Sequence, residues 1–457
     1  MTTITCISPI DGSVLATREA LPLEAARAAA AKGRAACAAW CARPRAERIA
    51  MVLKAVEIIG GQTERMTKEL ADQMGRPVRY GGEFGGFAER ARYMAEIADS
   101  ALADIMVEDS DAFTRKIVRE ARGLVLVVAP WNYPYMTAIN TIAPALIAGN
   151  TVMLKHASQT LLVGEHLAEA FRAAGVPEEV FQNVFLSHDV TSSLIAERAF
   201  DFVNFTGSVG GGQAMERAAA GTFTPVATEL GGKDPGYVRA DANLDAAVET
   251  LIDGAMFNSG QCCCGIERIY VHESLYDAFV EKAAALVSTY KLGDPRDSET
   301  TIGPMAHVRF AKTVRDQIDA AVAAGATAHI AKMPADDGAA YLTPQILTGV
   351  THDMEVMREE SFGPVVGIMP VKDDAEAIAL MNDSHYGLTA AIWTADAAAA
   401  EAIGAQIETG TIFMNRCDYL DPALCWTGCK DTGSGGGLSL IGYHNLTRPK
   451  SYHLKKA

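Results

Sequence analysis

Short apolar runs alternate with helical segments over much of this 457-residue chain, and this alternation limits the fold more than any other feature. Residues 124–128, Leu-Val-Leu-Val-Val, are continuously apolar and are followed by Pro130, as is typical of a buried parallel strand. Comparable runs occupy residues 151–154, 180–185, 201–205, 225–229, 268–272 and 365–370. Strands that alternate with helices predict an α/β fold with crossover connections.

The rest of the chain predicts two lobes. Residues 23–106 show the apolar spacing of helices, and the stretch 46–59 ends at Gly60 and Gly61. The strand–helix alternation resumes after Asp241, so we expect two α/β lobes that join near Gly231 and Gly232. This division agrees with the length, because single cores stop growing near roughly 250–300 residues. Residues 449–457 alternate like a strand and are expected to pair with another chain or another lobe.

Charge and cysteine usage exclude several classes of protein. With 56 acidic and 40 basic residues the formal net charge is −16, which argues against a broad nucleic-acid or anionic-membrane surface. No leader sequence is evident, and no apolar run approaches the ~20 residues of a membrane helix. Nine cysteines without framework spacing predict reduced thiols and a cytoplasmic location. No ordered set of four ligands accompanies the cysteine pairs 37/41 and 425/429, so no metal is predicted.

Two glycine- or proline-marked loops follow predicted strands and are candidate ligand sites. The loop 130–134 reads Pro-Trp-Asn-Tyr-Pro, in which Asn132 could donate to a developing oxyanion or could satisfy its own turn. The segment 205–212 is a strand end followed by a glycine loop that could bind phosphate at a helix N-terminus. It is neither a P-loop nor the usual dinucleotide fingerprint, and an ordinary glycine turn would explain it equally well.

Two further segments carry a candidate base and a candidate nucleophile. Glu229 stands just before Gly231 and Gly232, where it could be a general base or a surface carboxylate. Residues 260–265 read Gly-Gln-Cys-Cys-Cys-Gly. A thiolate nucleophile or three buried structural thiols would account for this run.

Taken together, in this order and spacing, these motifs resemble the aldehyde dehydrogenase superfamily. The resemblance covers nearly the whole chain and includes segments 149–155, 258–264 and 359–365. It implies a Rossmann-type NAD(P)-binding domain at residues 1–108 and 123–231 and an α/β catalytic domain at 232–430. It also implies a small oligomerisation β extension at 109–122 and 443–457, which would form a homodimer or a homotetramer.

The resemblance implies that three residues carry the chemistry. Cys263 would attack the aldehyde, and Asn132 with the Cys263 backbone N–H would stabilise the oxyanion. Glu229 would then activate the water that hydrolyses the thioester. These roles predict oxidation of an aldehyde to the carboxylic acid rather than acyl transfer to coenzyme A. A non-catalytic protein on the same fold is the alternative from a different class.

The family pattern also assigns residues to NAD or NADP. The set comprises Trp131, Lys155, Ser158, Thr206, Gly207, Ser208, Gly212, Glu360 and Phe362. Many NAD-preferring members carry a Glu at the position of Ser158. Because a serine would not repel a 2′-phosphate, NADP or dual use is expected. His156 also departs from the family, in which proline is common at that position.

The substrate passage is assigned by the same resemblance. Its residues would be Tyr133, Met136, Asn140, Cys262, Cys264 and the loop 415–420. Arg416 in that loop could anchor a substrate carboxylate or could be a solvated surface arginine. Segment 155–158 faintly resembles bacterial succinate-semialdehyde dehydrogenases, so a carboxylate-bearing aldehyde is the alternative substrate class. Segment 426–433 keeps Gly428, Lys430 and Gly433 but alters the family's usual Phe-Gly-Gly, which leaves the substrate open.

Overall fold

The structure, a computed structural model, describes residues 2–333, 335 and 338–456. Its strands are β1 Thr3–Ile7, β2 Val14–Glu19, β3 Ile105–Asp109, β4 Phe113–Ala121, β5 Leu124–Val128, β6 Thr151–Lys155, β7 Phe181–Asn183, β8 Phe202–Thr206, β9 Val226–Glu229, β10 Asp234–Val238, β11 Ile266–His272, β12 Thr327–Ala328, β13 Gln345–Thr348, β14 Val365–Val371, β15 Tyr386–Gly387, β16 Thr389–Trp393, β17 Thr411–Met414, β18 Cys429–Lys430 and β19 Thr447–Lys455.

The α-helices are α1 Leu23–Cys41, α2 Arg45–Gly60, α3 Thr63–Met74, α4 Phe84–Ala101, α5 Pro134–Ala148, α6 Leu161–Ala173, α7 His188–Ala196, α8 Val209–Ala219, α9 Leu244–Met256, α10 Glu273–Ser288, α11 Val308–Ala323, α12 Glu355–Arg358, α13 Asp374–Asn382, α14 Ala397–Gly404 and α15 Ser439–Asn445. Short 3₁₀ helices lie at Val78–Tyr80, Ser158–Thr160 and Phe257–Gly260. No helix among the described residues combines the length and apolar character needed to cross a membrane.

A five-stranded parallel sheet, ordered β7-β6-β5-β8-β9, is the centre of the first lobe. All of β5 is buried, because its side chains alternate between two helical cores, with Val125 and Val127 on one face and Leu124 and Leu126 on the other. The strand predicted at 180–185 is shorter than expected, since β7 covers only Phe181–Asn183.

The second lobe is built on a seven-stranded sheet, ordered β12-β13-β14-β11-β10-β16-β17. Its pairs are parallel except that β12 runs antiparallel to β13. The chain passes from the first sheet to the second between Glu229 and Asp234. This is the point at which the glycine pair predicted a junction.

A three-stranded antiparallel sheet, ordered β19-β4-β3, lies apart from the two lobe sheets. The helical pattern predicted to reach residue 106 ends earlier, because α4 stops at Ala101 and Ile105–Asp109 pairs with β4. The nine residues of β19 pair with β4 of the same chain, from Thr447 opposite Ala121 to Lys455 opposite Phe113.

The β extension predicted at 443–457 therefore begins later in the structure than the prediction placed it. Tyr443 is fully buried in α15, which packs on α4 and α5, and the strand begins only at Thr447. The Tyr443 hydroxyl donates to the Met94 carbonyl at 2.6 Å. Ala457 lies outside the described residues.

The two lobes meet where the end of α3 contacts the second lobe. Gly75 has φ +82°, and a Cβ atom there would overlap the carbonyl of Pro304. Val78 N donates to Pro295 O at 2.7 Å, and the Tyr80 hydroxyl donates to Thr301 O at 2.9 Å. Only glycine satisfies both the backbone angle and the close approach at position 75.

We expect Gly75→Ala to destabilise the protein much more than Gly12→Ala. Gly12 also has a positive φ, +75°, but among the described residues nothing beyond its chain neighbours lies within 4 Å of where a Cβ would be, so only backbone strain of about 1–2 kcal/mol applies. Gly75→Ala adds steric overlap worth a further ~1–3 kcal/mol. Thermal unfolding of both variants measures the difference, and equal shifts in Tm would show that the lobe contact is not tight.

Candidate active site

The candidate catalytic residues lie at one edge of the first sheet. Residues 130–134, Lys155, Thr206 and Glu229 stand at the carboxyl ends of β5, β6, β8 and β9, and these parallel strands run in register. The strands that open the second lobe begin nearby, with Asp234 paired to Ile266 just after the cysteine run. The carboxyl edge of a parallel sheet is where such folds bind ligands.

A strained turn leads into the cysteine run. Asn258, Ser259 and Gly260 have φ values of +54°, +57° and +71° in succession. A Cβ on Gly260 would overlap the carbonyl carbon of Gly363. Such a run of left-handed residues is costly and is kept only when the surroundings fix it, often at functional sites.

Hydrogen bonds hold this turn in place. The Ser259 hydroxyl donates to Gly303 O at 3.0 Å. The Gln261 side chain accepts from Ala306 N at 2.7 Å and donates to Asn258 O at 3.1 Å. The backbone before Cys263 is therefore fixed from both sides.

Cys263 is half-buried, whereas Cys262 and Cys264 are buried. Hydrogen bonding by the two flanking thiols lowers the pKa of Cys263, because a thiolate is stabilised by donors. Hydrogen bonding to the thiols of Cys262 and Cys263, together with burial, raises the pKa of Cys264. Cys263 is thus the most acidic of the three thiols, as a nucleophile requires.

Asn132 is buried with its side-chain amide directed at the cysteine run. Its Nδ2 donates to Gln261 O at 3.3 Å, two residues before Cys263. Its backbone carbonyl accepts from the Arg76 guanidinium and from Asn258 Nδ2. Arg76 in turn forms a 2.8 Å ion pair with the buried Glu83.

Glu83 fixes the other end of the Asn132 loop. Its carboxylate accepts from Tyr135 N at 2.9 Å and from Met136 N at 2.8 Å, at the first turn of α5. A carboxylate at a helix N-terminus is favoured by the unpaired N–H groups there. Arg76 and Glu83 carry no motif, so the sequence did not single them out.

Glu229 lies at the end of β9, where the Thr206 hydroxyl donates to its carboxylate at 3.3 Å. Burial raises the pKa of Glu229 to about 7, and the charge of Arg90 opposes that rise. The segment 432–434 runs beside β9, with Leu230 N donating to Thr432 O and Thr228 N to Ser434 O. The altered segment 426–433 therefore reaches the immediate surroundings of Glu229.

The predicted phosphate-binding residues form the N-terminus of α8. Ser208 is exposed and caps the helix by accepting from Gly211 N at 3.3 Å. Gly207 packs against Phe205, and Gly212 packs against Leu230. Apart from the backbone of α8 itself, no described residue comes within 4 Å of where a Cβ on Gly210 would be. A helix N-terminus beside open space fits a pyrophosphate.

The predicted ribose-binding residues follow β6. Lys155 ends the strand, and burial lowers its pKa. His156 is buried, its Nε2 lies 3.3 Å from Pro134 O, and desolvation lowers its pKa to about 4, so it is neutral near pH 7. Ser158 is exposed at the start of the 3₁₀ helix.

Glu360 and Phe362 belong to a second buried network. Glu360 accepts from Gly232 N at 3.1 Å, and burial raises the pKa of Glu360 to about 8. The Phe362 ring meets Trp131 edge to face, with centroids 5.5 Å apart.

Glu267 and Lys233, to which the sequence gave no role, set this geometry. Glu267 accepts from Ser361 N, from Phe362 N and from the Lys233 ammonium at 2.6–2.8 Å. Phe362 has φ +50°, so its position depends on these bonds. Glu267 sits within a strand and looks like an ordinary strand residue, so no local pattern indicates its contacts.

The predicted substrate residues divide into two groups. Tyr133 and Met136 are half-buried in the core cluster that also holds Cys262 and Cys264. Arg416 is exposed and stacks on the Tyr419 ring at 3.9 Å, which agrees with the alternative of a surface arginine.

Arg90 on α4 is a buried cation that the sequence did not indicate. It is 7% exposed and donates through Nη1 to Met136 O at 3.1 Å and to Asn140 Oδ1 at 3.4 Å. Its Nε and the Asn140 Nδ2 find no partner among the described residues. Burial lowers the pKa of Arg90, and the negative charges of Glu83, Glu229 and the cysteine run oppose that fall. Because arginines on helices are usually exposed to solvent, the sequence pattern did not indicate that Arg90 is buried.

Comparison with known proteins supplies the family. A sequence profile of the aldehyde dehydrogenase family matches residues 1–452. An NADP(+) succinate-semialdehyde dehydrogenase of Mycolicibacterium paratuberculosis is 33% identical over 412 residues, covering 89% of this chain and 87% of the relative. The NAD(P)+ succinate semialdehyde dehydrogenase Sad of Escherichia coli K12 is 32% identical over 404 residues, covering 88% and 86%.

A solved structure is similarly close. Succinic semialdehyde dehydrogenase from Streptococcus pyogenes, in complex with NADP+, superposes with a TM-score of 0.94 at 29% identity, covering 99% of this chain and 100% of that chain. The chain belongs to the aldehyde dehydrogenase family. It is an enzyme that oxidises aldehydes with NAD(P)+, and the fold and family predicted from the sequence are confirmed.

Proposed function

We propose that Cys263, Asn132 and Glu229 perform the oxidation through a covalent acyl-enzyme. The Cys263 thiolate attacks the aldehyde carbon, and the Asn132 amide with the Cys263 N–H donates to the resulting oxyanion. Bound NAD(P)+ supplies the hydride acceptor, which leaves a thioester on Cys263. The observation that carries the proposal is an acidified thiol beside a fixed amide, with a buried carboxyl of pKa about 7 on the adjoining strand end.

Glu229 is the proposed base for hydrolysis of the thioester. A carboxylate with a pKa of about 7 is half ionised near neutral pH, where it can take a proton from water and still release it. Water rather than coenzyme A is then the acyl acceptor.

We propose that residues 1–108 and 123–231 bind the cofactor and residues 232–430 form the catalytic domain. Lys155 and Ser158 would contact the adenosine ribose, the α8 N-terminus with Gly207, Ser208 and Gly212 the pyrophosphate, and Thr206, Trp131, Glu360 and Phe362 the nicotinamide side. Ser158 carries no negative charge, and the relatives above are named for NADP(+) or NAD(P)+, which supports NADP or dual use.

A carboxylate-bearing aldehyde is the substrate class we propose. Two observations favour it. The two relatives above are named succinate-semialdehyde dehydrogenases, and Arg90 is a buried cation whose Nε has no partner among the described residues and which bonds to Met136 and Asn140 of the predicted substrate passage. Arg90 and Asn140 would bind the substrate carboxylate, because a buried guanidinium recognises carboxylates strongly.

We propose that the β19-β4-β3 sheet joins copies of this chain into a cytoplasmic homodimer or homotetramer. The edge strand β3 exposes Ile105, Met106 and Val107, each more than half accessible. Exposed apolar edge strands pair readily with another chain. Multi-angle light scattering distinguishes these states from a monomer.

Glu229→Gln is expected to slow steady-state turnover by about 10²-fold or more, since a general base contributes about 10²–10⁴-fold. The first turnover should still release NAD(P)H in a burst, because acylation does not use Glu229. In the wild type the deacylation rate should rise with pH through about 7, as Glu229 ionises, and Glu229→Gln should lose this dependence.

The exposed acid Glu401 provides a matched control, and Glu401→Gln should leave turnover unchanged. Cys263→Ser should abolish both burst and turnover. Acid formation only when coenzyme A is supplied would contradict the role of Glu229.

Ser158→Glu is expected to lower kcat/KM for NADP+ by about tenfold or more and to leave NAD+ activity intact. The reason is that the new carboxylate would repel the 2′-phosphate of NADP+, by about 4 kcal/mol at a separation of about 4 Å. Steady-state kinetics with both cofactors measure the ratio. Ser288→Glu, at the exposed end of α10, controls for added charge. An unchanged ratio would show that position 158 does not face the 2′-phosphate.

Arg90→Gln is expected to raise KM for a carboxylate-bearing aldehyde about 10- to 100-fold, since charged hydrogen bonds are worth about 1.5–3 kcal/mol. KM for a neutral aldehyde of equal length should change little, and Arg416→Gln should affect neither. A selective loss in Arg416→Gln would instead place the carboxylate at the exposed loop. Equal losses for both aldehydes in Arg90→Gln would assign Arg90 a structural role.

A further inference from the structure

The two cysteines that flank Cys263 converge on one carboxylate. The Sγ atoms of Cys262 and Cys264 lie 3.6 Å apart, and each lies 3.0 Å from Oδ1 of Asp418. Both cysteines are buried, with 4% and 1% of their surface exposed. The three donor atoms therefore form a small triangle inside the protein, beside the proposed nucleophile.

The backbone holds Asp418 over this pair of thiols. The loop after β17 is anchored at Asn415, whose side chain accepts from Thr394 N at 3.0 Å and donates to Thr394 O at 2.9 Å. Three residues later Asp418 adopts φ +50°, a conformation that is uncommon for a residue other than glycine. The carboxylate thus reaches the thiols from a separate, fixed segment of the chain.

Thiolate and carboxylate donors in this arrangement match a tetrahedral metal ion. With bonds of about 2.3 Å to sulfur and about 2.0 Å to oxygen, tetrahedral zinc places two sulfurs about 3.8 Å apart and sulfur about 3.5 Å from oxygen. The distances in the protein, 3.6 Å and 3.0 Å, differ from these by about half an ångström or less. Soft sulfur ligands select zinc or cadmium over magnesium or calcium.

We propose that Cys262, Cys264 and Asp418 form a binding site for a thiophilic divalent cation, such as Zn²⁺, beside Cys263. Three protein ligands leave the fourth tetrahedral position to water. A cation held there stands at the thiol that attacks the aldehyde, so its binding blocks oxidation. This site is independent of the residues proposed for hydrolysis and for cofactor binding.

Local sequence gave no sign of this site. The cysteine pairs with helical spacing, Cys37/Cys41 and Cys425/Cys429, are the obvious candidates, and the described part of the chain gives them no further ligand. The third ligand, Asp418, stands 154 positions after Cys264 and carries no motif. The family resemblance placed the two cysteines and the loop 415–420 in one substrate passage, and the structure shows Asp418 of that loop in contact with both thiols.

The test is equilibrium dialysis of the full-length, chelator-treated protein against Zn²⁺ alone. We expect one tight Zn²⁺ per chain in the wild type and in Cys37→Ser/Cys41→Ser, which removes two thiols elsewhere. Cys262→Ser/Cys264→Ser should bind Zn²⁺ at least about 100-fold more weakly, because losing even an outer partner of a ligand costs about 10–100-fold. With Cd²⁺ in place of Zn²⁺, the ultraviolet thiolate band should be lost in this variant alone.

Asp418→Asn keeps both thiols and suits the left-handed backbone, because asparagine tolerates that conformation. It should weaken Zn²⁺ binding about tenfold or more while its circular dichroism spectrum stays that of the wild type. Equal affinity in the wild type, Cys262→Ser/Cys264→Ser and Asp418→Asn would overturn the proposal. Loss of the tight site in Cys37→Ser/Cys41→Ser would also overturn it.

Discussion

The buried ion pair between Arg76 and Glu83 is the interaction on which the active-site geometry depends. Arg76 binds the Asn132 carbonyl and the Asn258 side chain, while Glu83 binds the first N–H groups of α5. One pair of charges thereby connects the loop that carries Asn132, the strained turn before the cysteines and the first turn of α5. Removing either partner would leave an unpaired buried charge, which typically costs about 3–5 kcal/mol.

A second buried ion pair, between Lys233 and Glu267, fixes the segment that carries Ser361 and Phe362. Both residues are almost fully enclosed, and the Glu267 carboxylate accepts from the N–H groups of Ser361 and Phe362. The acids nearest the reacting centre behave differently, because burial raises the pKa of Glu229 to about 7 and that of Glu360 to about 8. The two ion pairs, Arg76–Glu83 and Lys233–Glu267, therefore fix the backbone of the site, whereas the raised pKa values let Glu229 and Glu360 gain or lose a proton near neutral pH.

Local patterns predicted most of the strands of the two lobes. The run at 124–128 is β5. Asn132 follows β5, Glu229 ends β9, and Cys263 lies between the 3₁₀ helix Phe257–Gly260 and the start of β11. These residues are identifiable because loops after buried strands face the ligand edge of a parallel sheet. Periodicity indicated the strands, whereas the resemblance to the family singled out these three residues.

Contacts between segments that are distant along the chain could not be predicted from local sequence patterns. Arg90 reads as a solvated helix residue, and only the packing of α4 on α5 buries it 50 positions from Asn140. Arg416, the arginine that the sequence indicated, is exposed. In the same way the register of β19 against β4 and the burial of Tyr443 follow from tertiary packing, which a short strand-like pattern does not encode.

The return of residues 439–455 to the first lobe bears on how the chain is made. Tyr443 bonds to Met94 across 349 positions, and Asn150 donates to Leu446 O across 296. The ribosome therefore synthesises the whole second lobe before α15 can pack on α4 and α5 and before β19 can pair with β4. During that interval the apolar surface of α4 and α5 that α15 later covers is exposed in the nascent chain. Such transient exposure makes a chain prone to aggregation and dependent on chaperones.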